Sequence, residues 1–382
     1  SCFLAAAGRL RVGDPHLFLR WHPELPEAIK RQAAESLCSG HVMPLLIGDR
    51  PTAQGFIEAG CAPEDAWDYC VIGCNELGIP GRSCESAMAL CGSVPYVRCL
   101  SETLTAHPDP DSIADMEALL GLYEQRLRAS LGQLRKWGEA HRLRLAEECP
   151  TPFTSALMTG CIEQGKDLLV GEKYQLAGTY ERGLTNAANA LLALSELVFK
   201  ERQISLSQVA EALRDDFSDE ALRLLLHSRG RWGRDEETAD VWALRLIELR
   251  ERILNELDVE YRRRHVVCHV VRSLHRLDGL HLAASPDGRR AGEPLSDSIG
   301  PALGVSPAGP TGLFASVLKL DTARYYRGGY NLNLTLDGAV ASPEVVLALA
   351  EGFFTAGGQE LQVQCLDPEL LQIGRASCRE RV

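Results

Sequence analysis

Residues 71–82 read VIGCNELGIPGR and place Cys74 and Glu76 two positions apart, just before a Gly-Ile-Pro-Gly cluster. The glycines and the proline indicate a tight, irregular loop. The apolar approach over residues 69–72, Tyr-Cys-Val-Ile, predicts a buried strand that delivers two reactive side chains to an interior site. On an extended segment, residues i and i+2 point to the same face, so we expect Cys74 and Glu76 to share one small volume.

The residue types around Cys74 favour radical chemistry over thiolate chemistry. A carboxylate beside a thiol opposes formation of the thiolate by like-charge repulsion. Cysteine-nucleophile enzymes use a neighbouring base such as histidine or lysine, and the loop around Cys74 contains neither. The pair therefore favours one-electron chemistry at the sulfur, with Glu76 as a separate base. The alternative is that both are ordinary loop residues.

Composition limits the classes of function. The 382 residues are 45% hydrophobic and 24% charged, which is typical of a soluble globular protein. The net charge of −12 argues against a nucleic-acid partner. No apolar run approaches the roughly 20 residues that cross a bilayer, so we expect no membrane association.

The 13 cysteines are scattered and form no Cys-x-x-Cys pair. That usage indicates a reduced, cytoplasmic protein rather than a disulfide scaffold. We expect most of them to be small buried hydrophobic residues: Cys38, Cys61, Cys91, Cys99, Cys149, Cys161, Cys268 and Cys365.

Apolar periodicity predicts an α/β chain in which helices outnumber strands. With no internal repeat and no low-complexity linker, one domain is the simplest interpretation. The predicted helices cover residues 24–38, 51–60, 112–146, 185–200 and 235–262, and Ser205-x-x-Gln208 predicts a capping box. The predicted strands cover residues 42–49, 313–320, 330–336 and 361–367.

Three shorter patterns suggest other chemistry, each with a simpler alternative. Residues 160–167, GCIEQGKD, follow a phosphate-binding loop except for their last position, and the alternative is a helix end and a turn. Cys70 and Cys74 lack the further cysteines that an iron–sulfur cluster needs. His265 and His269 have i, i+4 spacing without an accompanying carboxylate motif, which favours a pair on a helix surface over a metal site.

Residues 285–312 form a segment rich in Gly and Pro that is too long for a simple turn. Arg289 and Arg290 follow an Asp-Gly turn signal. Long structured loops often carry function. The alternative is a packed surface loop whose arginines pair with carboxylates.

Ordered blocks over roughly residues 20–372 resemble the glycyl radical enzymes, the pyruvate formate-lyase family. Residues 64–81, EDAWDYCVIGCNELGIPG, resemble the family's active-site cysteine segment. Residues 284–304, ASPDGRRAGEPLSDSIGPALG, resemble a later block, and the stretch DGRRAGEPLSDS within it, residues 287–298, is the most specific match. The other blocks follow in the family's order, at residues 151–174, 189–217, 231–240, 309–321, 328–337 and 353–367.

The resemblance implies part of a ten-stranded barrel, with two parallel half-sheets surrounded by helices. A loop carrying the active-site cysteine projects into its centre, and Cys74 matches that cysteine. A glycyl radical on a C-terminal loop converts this thiol to a thiyl radical. We expect no bound cofactor. The partners implied are a small-molecule substrate, a radical SAM activating enzyme and a second copy in a homodimer.

The Cys-x-Glu loop resembles the family's dehydratases, C–N lyases and decarboxylases, in which Glu76 matches the base. Pyruvate formate-lyase has two adjacent cysteines at this point, whereas Asn75 follows Cys74 here. The alternatives are formate C-acetyltransferase activity and a non-catalytic paralogue.

Both ends of the sequence suggest an internal fragment. Residues 373–382, IGRASCRERV, resemble the translation of a sequencing adaptor, so we assign residues 1–372 to a partial barrel domain and the rest to an artefactual tail. The family's Arg-Val-x-Gly-aromatic glycyl radical motif does not occur. We therefore expect the glycyl radical domain to be absent and this chain to be inactive.

Overall fold

The computed structural model describes residues 2–10, 15–73, 75–83, 92–269, 274–302 and 308–367. Cys74, Cys91 and the predicted tail over residues 373–382 lie outside these ranges. Sequence predictions that concern them stay predictions.

The strands form two larger sheets and one hairpin. The first sheet has the order β1-β2-β9-β8, in which β1–β2 and β8–β9 are parallel and β2–β9 is antiparallel. The second sheet, β5-β6-β7, is entirely parallel, and β3–β4 is an antiparallel hairpin. In chain order the strands are β1 Phe18–Trp21, β2 Leu45–Gly48, β3 Cys70–Ile72, β4 Glu76–Gly78, β5 Ser93–Val94, β6 Leu176–Glu181, β7 Arg264–Cys268, β8 Leu332–Asp337 and β9 Glu360–Leu366.

Helices separate most of the strands. They are α1 Cys2–Leu10, α2 Glu27–Cys38, α3 Asp49–Glu58, α4 Pro63–Ala66, α5 Tyr96–Thr105, α6 Met116–Glu148, α7 Pro152–Ser155, α8 Cys161–Gln164, α9 Leu168–Gly171, α10 Leu184–Leu194, α11 Leu206–Arg214, α12 Glu220–His227, α13 Glu237–Tyr261, α14 Leu274–Leu280, α15 Gly309–Leu318, α16 Thr322–Tyr325 and α17 Pro343–Thr355. A π-helical turn, Ser195–Lys200, continues α10.

The long predicted helices are confirmed as α2, α3, α6, α10 and α13. The predicted capping box is also present. The Ser205 hydroxyl accepts a hydrogen bond from the Gln208 backbone N–H at 3.2 Å, and the Gln208 side chain accepts one from the Ser205 N–H at 2.8 Å. Local sequence signals therefore define the helical layer well.

The strand prediction for residues 313–320 is wrong, because that segment lies mostly in α15. Pro310 occupies the first turn of the helix, where its missing N–H costs nothing. Leu313, Phe314 and Val317 are buried, at a spacing that fits one face of a helix. Phe314 packs against Phe353 of α17, with 4.7 Å between ring centroids. A short apolar run fits a helix as well as a strand.

The cysteine prediction holds for the buried Cys61, Cys99, Cys161, Cys268 and Cys365. Cys38 is only partly buried, and Cys149 is exposed. For Cys149 the prediction is wrong because that residue follows the last turn of the long helix α6, away from the core.

The two larger sheets meet at a bridge between His269 and Tyr330. The His269 N–H donates to the Gly329 carbonyl at 2.9 Å, and the Asn331 N–H donates to the His269 carbonyl at 3.0 Å. The β3–β4 hairpin docks at the same junction, since the Leu77 N–H donates to the Gly328 carbonyl at 3.2 Å. The fold therefore places the hairpin where the two larger sheets join.

We expect Gly48→Ala, at the end of β2, to lower the free energy of unfolding by about 1–3 kcal/mol because of overpacking. An added Cβ would overlap the carbonyl oxygen of Gly358 and lie 3.0 Å from Cδ1 of Phe354. The Gly48 N–H also donates to the Gln359 carbonyl at 2.6 Å, so the backbone is not free to move away. Urea unfolding followed by circular dichroism measures the change.

The matched control is Gly352→Ala on the exposed face of α17. An added Cβ there meets no heavy atom within 4 Å. Alanine in a helix interior should stabilise by roughly 0.5–1 kcal/mol relative to glycine. Equal stability of the Gly48 variant and the unmodified chain would contradict the packing at β2.

Candidate active site

The β3–β4 hairpin carries the candidate site. Val71 pairs with Leu77 and Ile72 pairs with Glu76, so the described ends of the turn are Gly73 and Asn75. Gly73 has a φ of 72°, a conformation that favours glycine. The predicted strand before the loop is confirmed as β3, but the prediction that it is buried is wrong, because all three of its residues are only half-buried. Cys74 lies outside the described residues, so its predicted proximity to the Glu76 side chain stays a prediction.

The Glu76 carboxylate is held in place although it is only 2% exposed. The Tyr180 hydroxyl donates to its Oε1 at 3.1 Å, and the Asn75 backbone N–H donates to its Oε2 at 3.3 Å. Tyr180 lies on the parallel strand β6, far from the hairpin in sequence. Donors fixed on both oxygens orient a carboxylate for accepting a proton from a bound molecule.

A second buried carboxyl group, Glu360, lies close to the hairpin and was not predicted. It is the first residue of β9 and is 0% exposed. Burial raises the pKa of Glu360 well above its usual range, and the negative charge of Glu76 raises it further. The Asn75 side-chain amide acts in the opposite direction. The site therefore contains two carboxyl groups in different environments.

An ion cluster lies behind the same strand. Successive strand residues face opposite sides, so Glu181 points away from the face occupied by its neighbour Tyr180. The Glu181 carboxylate binds the Arg250 guanidinium of α13 and accepts hydrogen bonds from the hydroxyls of Tyr326 and, at 3.0 Å, Tyr96. Burial opposes ionisation of Glu181, but Arg250, followed by His269 and the Tyr326 hydroxyl, outweighs it and lowers the pKa of Glu181 to about 2.

His265 and His269 are not a helix-surface pair, and that prediction is wrong. His265 lies on β7 and His269 follows at the sheet junction, and both are buried. His265 Nδ1 is 2.7 Å from Asp258 Oδ2, and its Nε2 is 2.9 Å from Glu251 Oε2. Residues four apart share a face on a strand as they do on a helix, so spacing alone could not distinguish a strand from a helix.

The phosphate-loop resemblance is a helix end and a turn, as the alternative stated. A helical turn, α7, precedes it instead of a strand, and α8 lies within it. The Lys166 ammonium donates to the Gln164 side chain at 3.4 Å. Asp167 caps α9 by accepting from the Leu169 N–H at 3.0 Å, and it accepts from the Thr151 N–H at 2.7 Å. These contacts stabilise the turn and build no phosphate cradle.

The two arginines of the long loop have packing roles. Arg289 is buried and donates to backbone carbonyls, including those of Arg290 at 2.9 Å and Glu293 at 2.8 Å. Arg290 pairs with the Glu220 carboxylate at 2.7 Å. The predicted carboxylate pairing is therefore confirmed for Arg290, whereas Arg289 binds the loop's own backbone.

Comparison with known proteins identifies the family. A family model described as pyruvate formate lyase-like matches residues 1–271. The chain belongs to this family. It is 28% identical to a (2S)-3-sulfopropanediol dehydratase from Klebsiella oxytoca, over 83% of this chain and 41% of that protein. It is 26% identical to a trans-4-hydroxy-L-proline dehydratase from Clostridioides difficile, over 95% of this chain and 48% of that protein. The chain thus spans about half the length of the curated relatives it matches.

The fold also matches solved structures. The glycerol-bound B12-independent glycerol dehydratase from Clostridium butyricum superposes with a TM-score of 0.90 at 23% identity, over 99% of this chain and 50% of that one. A glycyl radical enzyme from Archaeoglobus fulgidus gives a TM-score of 0.86 at 22% identity. The predicted fold is confirmed: the half-sheets and helices are part of a glycyl radical enzyme barrel.

Two kinds of feature are absent from the described ranges. No helix there combines the length and the apolar composition needed to cross a bilayer. Among the same residues, no group of three or more His, Cys, Asp and Glu side chains is placed to hold a metal ion.

Proposed function

We propose that this chain is part of a glycyl radical lyase in which Cys74 carries a thiyl radical and Glu76 is the base. One observation carries the proposal: a buried carboxylate, fixed by Tyr180 and Asn75, stands two residues after the cysteine at the junction of the two larger sheets. Family membership supplies the radical chemistry. The proposed reactions are dehydration, C–N cleavage or decarboxylation of a small organic substrate.

The glycyl radical of such enzymes supplies one capability, the removal of a hydrogen atom from a thiol. In this proposal the Cys74 sulfur then takes a hydrogen atom from substrate carbon and returns one to the product. Glu76 accepts a proton from a substrate hydroxyl or carboxyl group. Burial of Glu76 and Leu77 on the second strand of the hairpin, and of Asn75 just before it, keeps water from competing for the carboxylate.

Two features favour elimination over acyl transfer. Asn75 stands where pyruvate formate-lyase has its second cysteine, and its backbone N–H is used to hold Glu76. The named curated relatives are dehydratases. The proposed partners are a small organic substrate, a radical SAM activating enzyme and a second copy in a homodimer, and the proposed location is the cytoplasm.

The test uses the intact product of the source gene, activated without air by a radical SAM activating enzyme. A panel of diols, hydroxyproline, choline and arylacetates is offered, and products are identified by mass spectrometry. We expect one class of substrate to lose water, an amine or carbon dioxide, with no consumption of coenzyme A. Consumption of pyruvate with coenzyme A would establish formate C-acetyltransferase instead. A glycyl radical without turnover on either set would contradict the lyase proposal, and failure to form any radical would indicate a non-catalytic paralogue.

A further inference from the structure

Glu360 is a buried carboxyl group without the partners that such groups usually have. Within the described ranges, neither of its side-chain oxygens has a hydrogen-bond partner, and no Lys, Arg or His forms an ion pair with it. A buried carboxylate is costly unless it is paired or hydrogen-bonded. The Glu181 carboxylate in the same protein shows the usual solution, a guanidinium at contact distance. Glu360 therefore needs a different explanation.

The groups around Glu360 are negative or neutral. From the hairpin, the Glu76 carboxylate and the Asn75 amide face it. From the other side, it approaches Gly329 so closely that an added Cβ there would overlap its Oε1, and the same Cβ would lie 3.0 Å from Cδ1 of Leu77. The phenols of Tyr69 and Tyr330 also lie near it, so that a negative charge on Glu360 would raise the pKa of both. Each of these surroundings disfavours a second negative charge, apart from the Asn75 amide.

The Asn75 amide nitrogen is also buried and lacks a hydrogen-bond partner among the described residues. This N–H group is therefore available to donate to the Glu360 carboxyl group. Asn75 is next to Cys74 in the turn of the hairpin. Perturbed buried acids concentrate at functional sites, and this one lies beneath the hairpin that carries Glu76.

We propose that Glu360 is a positioning residue that stays a neutral carboxylic acid at neutral pH, so that Glu76 carries the only negative charge at the hairpin. A neutral Glu360 can accept a hydrogen bond from the Asn75 amide without repelling the Glu76 carboxylate. Ionisation of Glu360 would place its negative charge beside that of Glu76, and the repulsion would disturb the turn of the β3–β4 hairpin. The relevance of this arrangement to catalysis rests on the proposed function, whereas the protonation state does not.

The first test is the pH dependence of unfolding for the 382-residue chain and its Glu360→Gln variant. A folded-state pKa above the unfolded value means that the folded chain holds the extra proton, so stability falls as pH rises above about 4.3. Glutamine mimics the protonated form and escapes this loss. We expect the ratio of the two unfolding constants, unmodified over variant, to rise by up to tenfold per pH unit, until the folded-state pKa is reached.

Two controls isolate the effect. Glu64→Gln removes an exposed carboxylate on α4 and should leave the pH dependence unchanged. Glu76→Gln removes the neighbouring charge, so in that background the rise should end at a lower pH. A ratio that stays constant from pH 4 to pH 8 would overturn the proposal. If the ratio of unfolding constants stops rising at the same pH with Glu76→Gln as without it, the charge of Glu76 does not help to keep Glu360 neutral.

The second test observes the proton directly. The infrared difference spectrum between the unmodified chain and Glu360→Gln should contain the carbonyl stretch of a protonated carboxyl group at pH 7. If that variant does not fold, the side-chain ¹³C titration of glutamate in the unmodified chain decides the question, with one carboxyl group titrating far above the others. Absence of a neutral glutamate at pH 7 would refute the proposal.

These measurements need no turnover, so the two proposals fail separately. A neutral Glu360 in a protein that performs no lyase reaction would refute the proposed function alone. An ionised Glu360 in an active lyase would refute the positioning role alone.

Discussion

Cys74→Ser is expected to abolish turnover in the intact, activated protein while leaving the glycyl radical in place. An O–H bond is much stronger than an S–H bond, so a serine hydroxyl does not yield its hydrogen atom to a backbone-stabilised radical. The shape of the loop changes little, because serine is close to cysteine in size. Electron paramagnetic resonance measures the radical, and product formation measures turnover in the same sample.

Cys70→Ser provides the matched control, since Cys70 lies on β3 in the same hairpin and is only partly buried. We expect that variant to retain both the radical and most of the turnover. Substantial turnover in Cys74→Ser would exclude Cys74 as the thiyl carrier. Loss of turnover in both variants would indicate damage to the hairpin rather than to the chemistry.

Arg250→Ala is expected to lower the free energy of unfolding by about 3–5 kcal/mol, the cost of leaving a buried charge without its partner. Arg250 and Glu181 are both fully buried, and Arg250 also donates to the Tyr325 carbonyl at 2.9 Å. At neutral pH the variant must bury an uncompensated carboxylate or protonate it. Urea unfolding followed by circular dichroism measures the difference.

Arg252→Ala, two residues further along α13, is the control for Arg250→Ala. Arg252 is 55% exposed and pairs with Glu124 at 2.7 Å, so its loss should cost no more than about 1 kcal/mol. Adding Glu181→Gln to the Arg250 variant should recover part of the stability, since removing both charges costs less than removing one. Equal losses for the two arginine variants would contradict the buried pair.

The stability that the Glu181–Arg250 pair contributes should decrease as the pH falls. Because the folded-state pKa of Glu181 is about 2, its ionisation stabilises the fold above about pH 4.3, the usual value in an unfolded chain. That contribution is lost as pH falls toward 2. In Arg250→Ala most of it should be lost, so the difference in stability between the variant and the unmodified chain should shrink at low pH.

Local sequence signals predicted five of the described helices, α2, α3, α6, α10 and α13, and the strand that leads into the candidate loop. The apolar periodicity of α2, α6 and α13 and the alternation in β8 and β9 arise from one buried face, which is visible in the sequence itself. The strand β3 before the loop was predicted from a continuous apolar run over residues 69–72 instead. The segment now seen as α15 was assigned wrongly because a short segment of mostly apolar residues fits a strand as well as a helix.

The partners of Glu76 could not be predicted, because packing brings them from distant parts of the chain. Tyr180 is 104 residues away in sequence from Glu76. Glu360 lies on β9, the last of the described strands in the chain. The only local sign of Glu360 is an acidic residue at the start of a strand that otherwise alternates. His265 and His269 were misplaced for a related reason, since their burial depends on the helices that cover β7.

The strand β6 places Tyr180 and Glu181 next to each other in sequence but on opposite faces. One side chain faces the candidate catalytic carboxylate, and the other anchors a buried ion cluster against the helical layer. With Glu76 as the proposed base, substitutions of Tyr180 are expected to act on turnover in the intact protein. Substitutions of Glu181 are expected to act on the amount of folded protein instead.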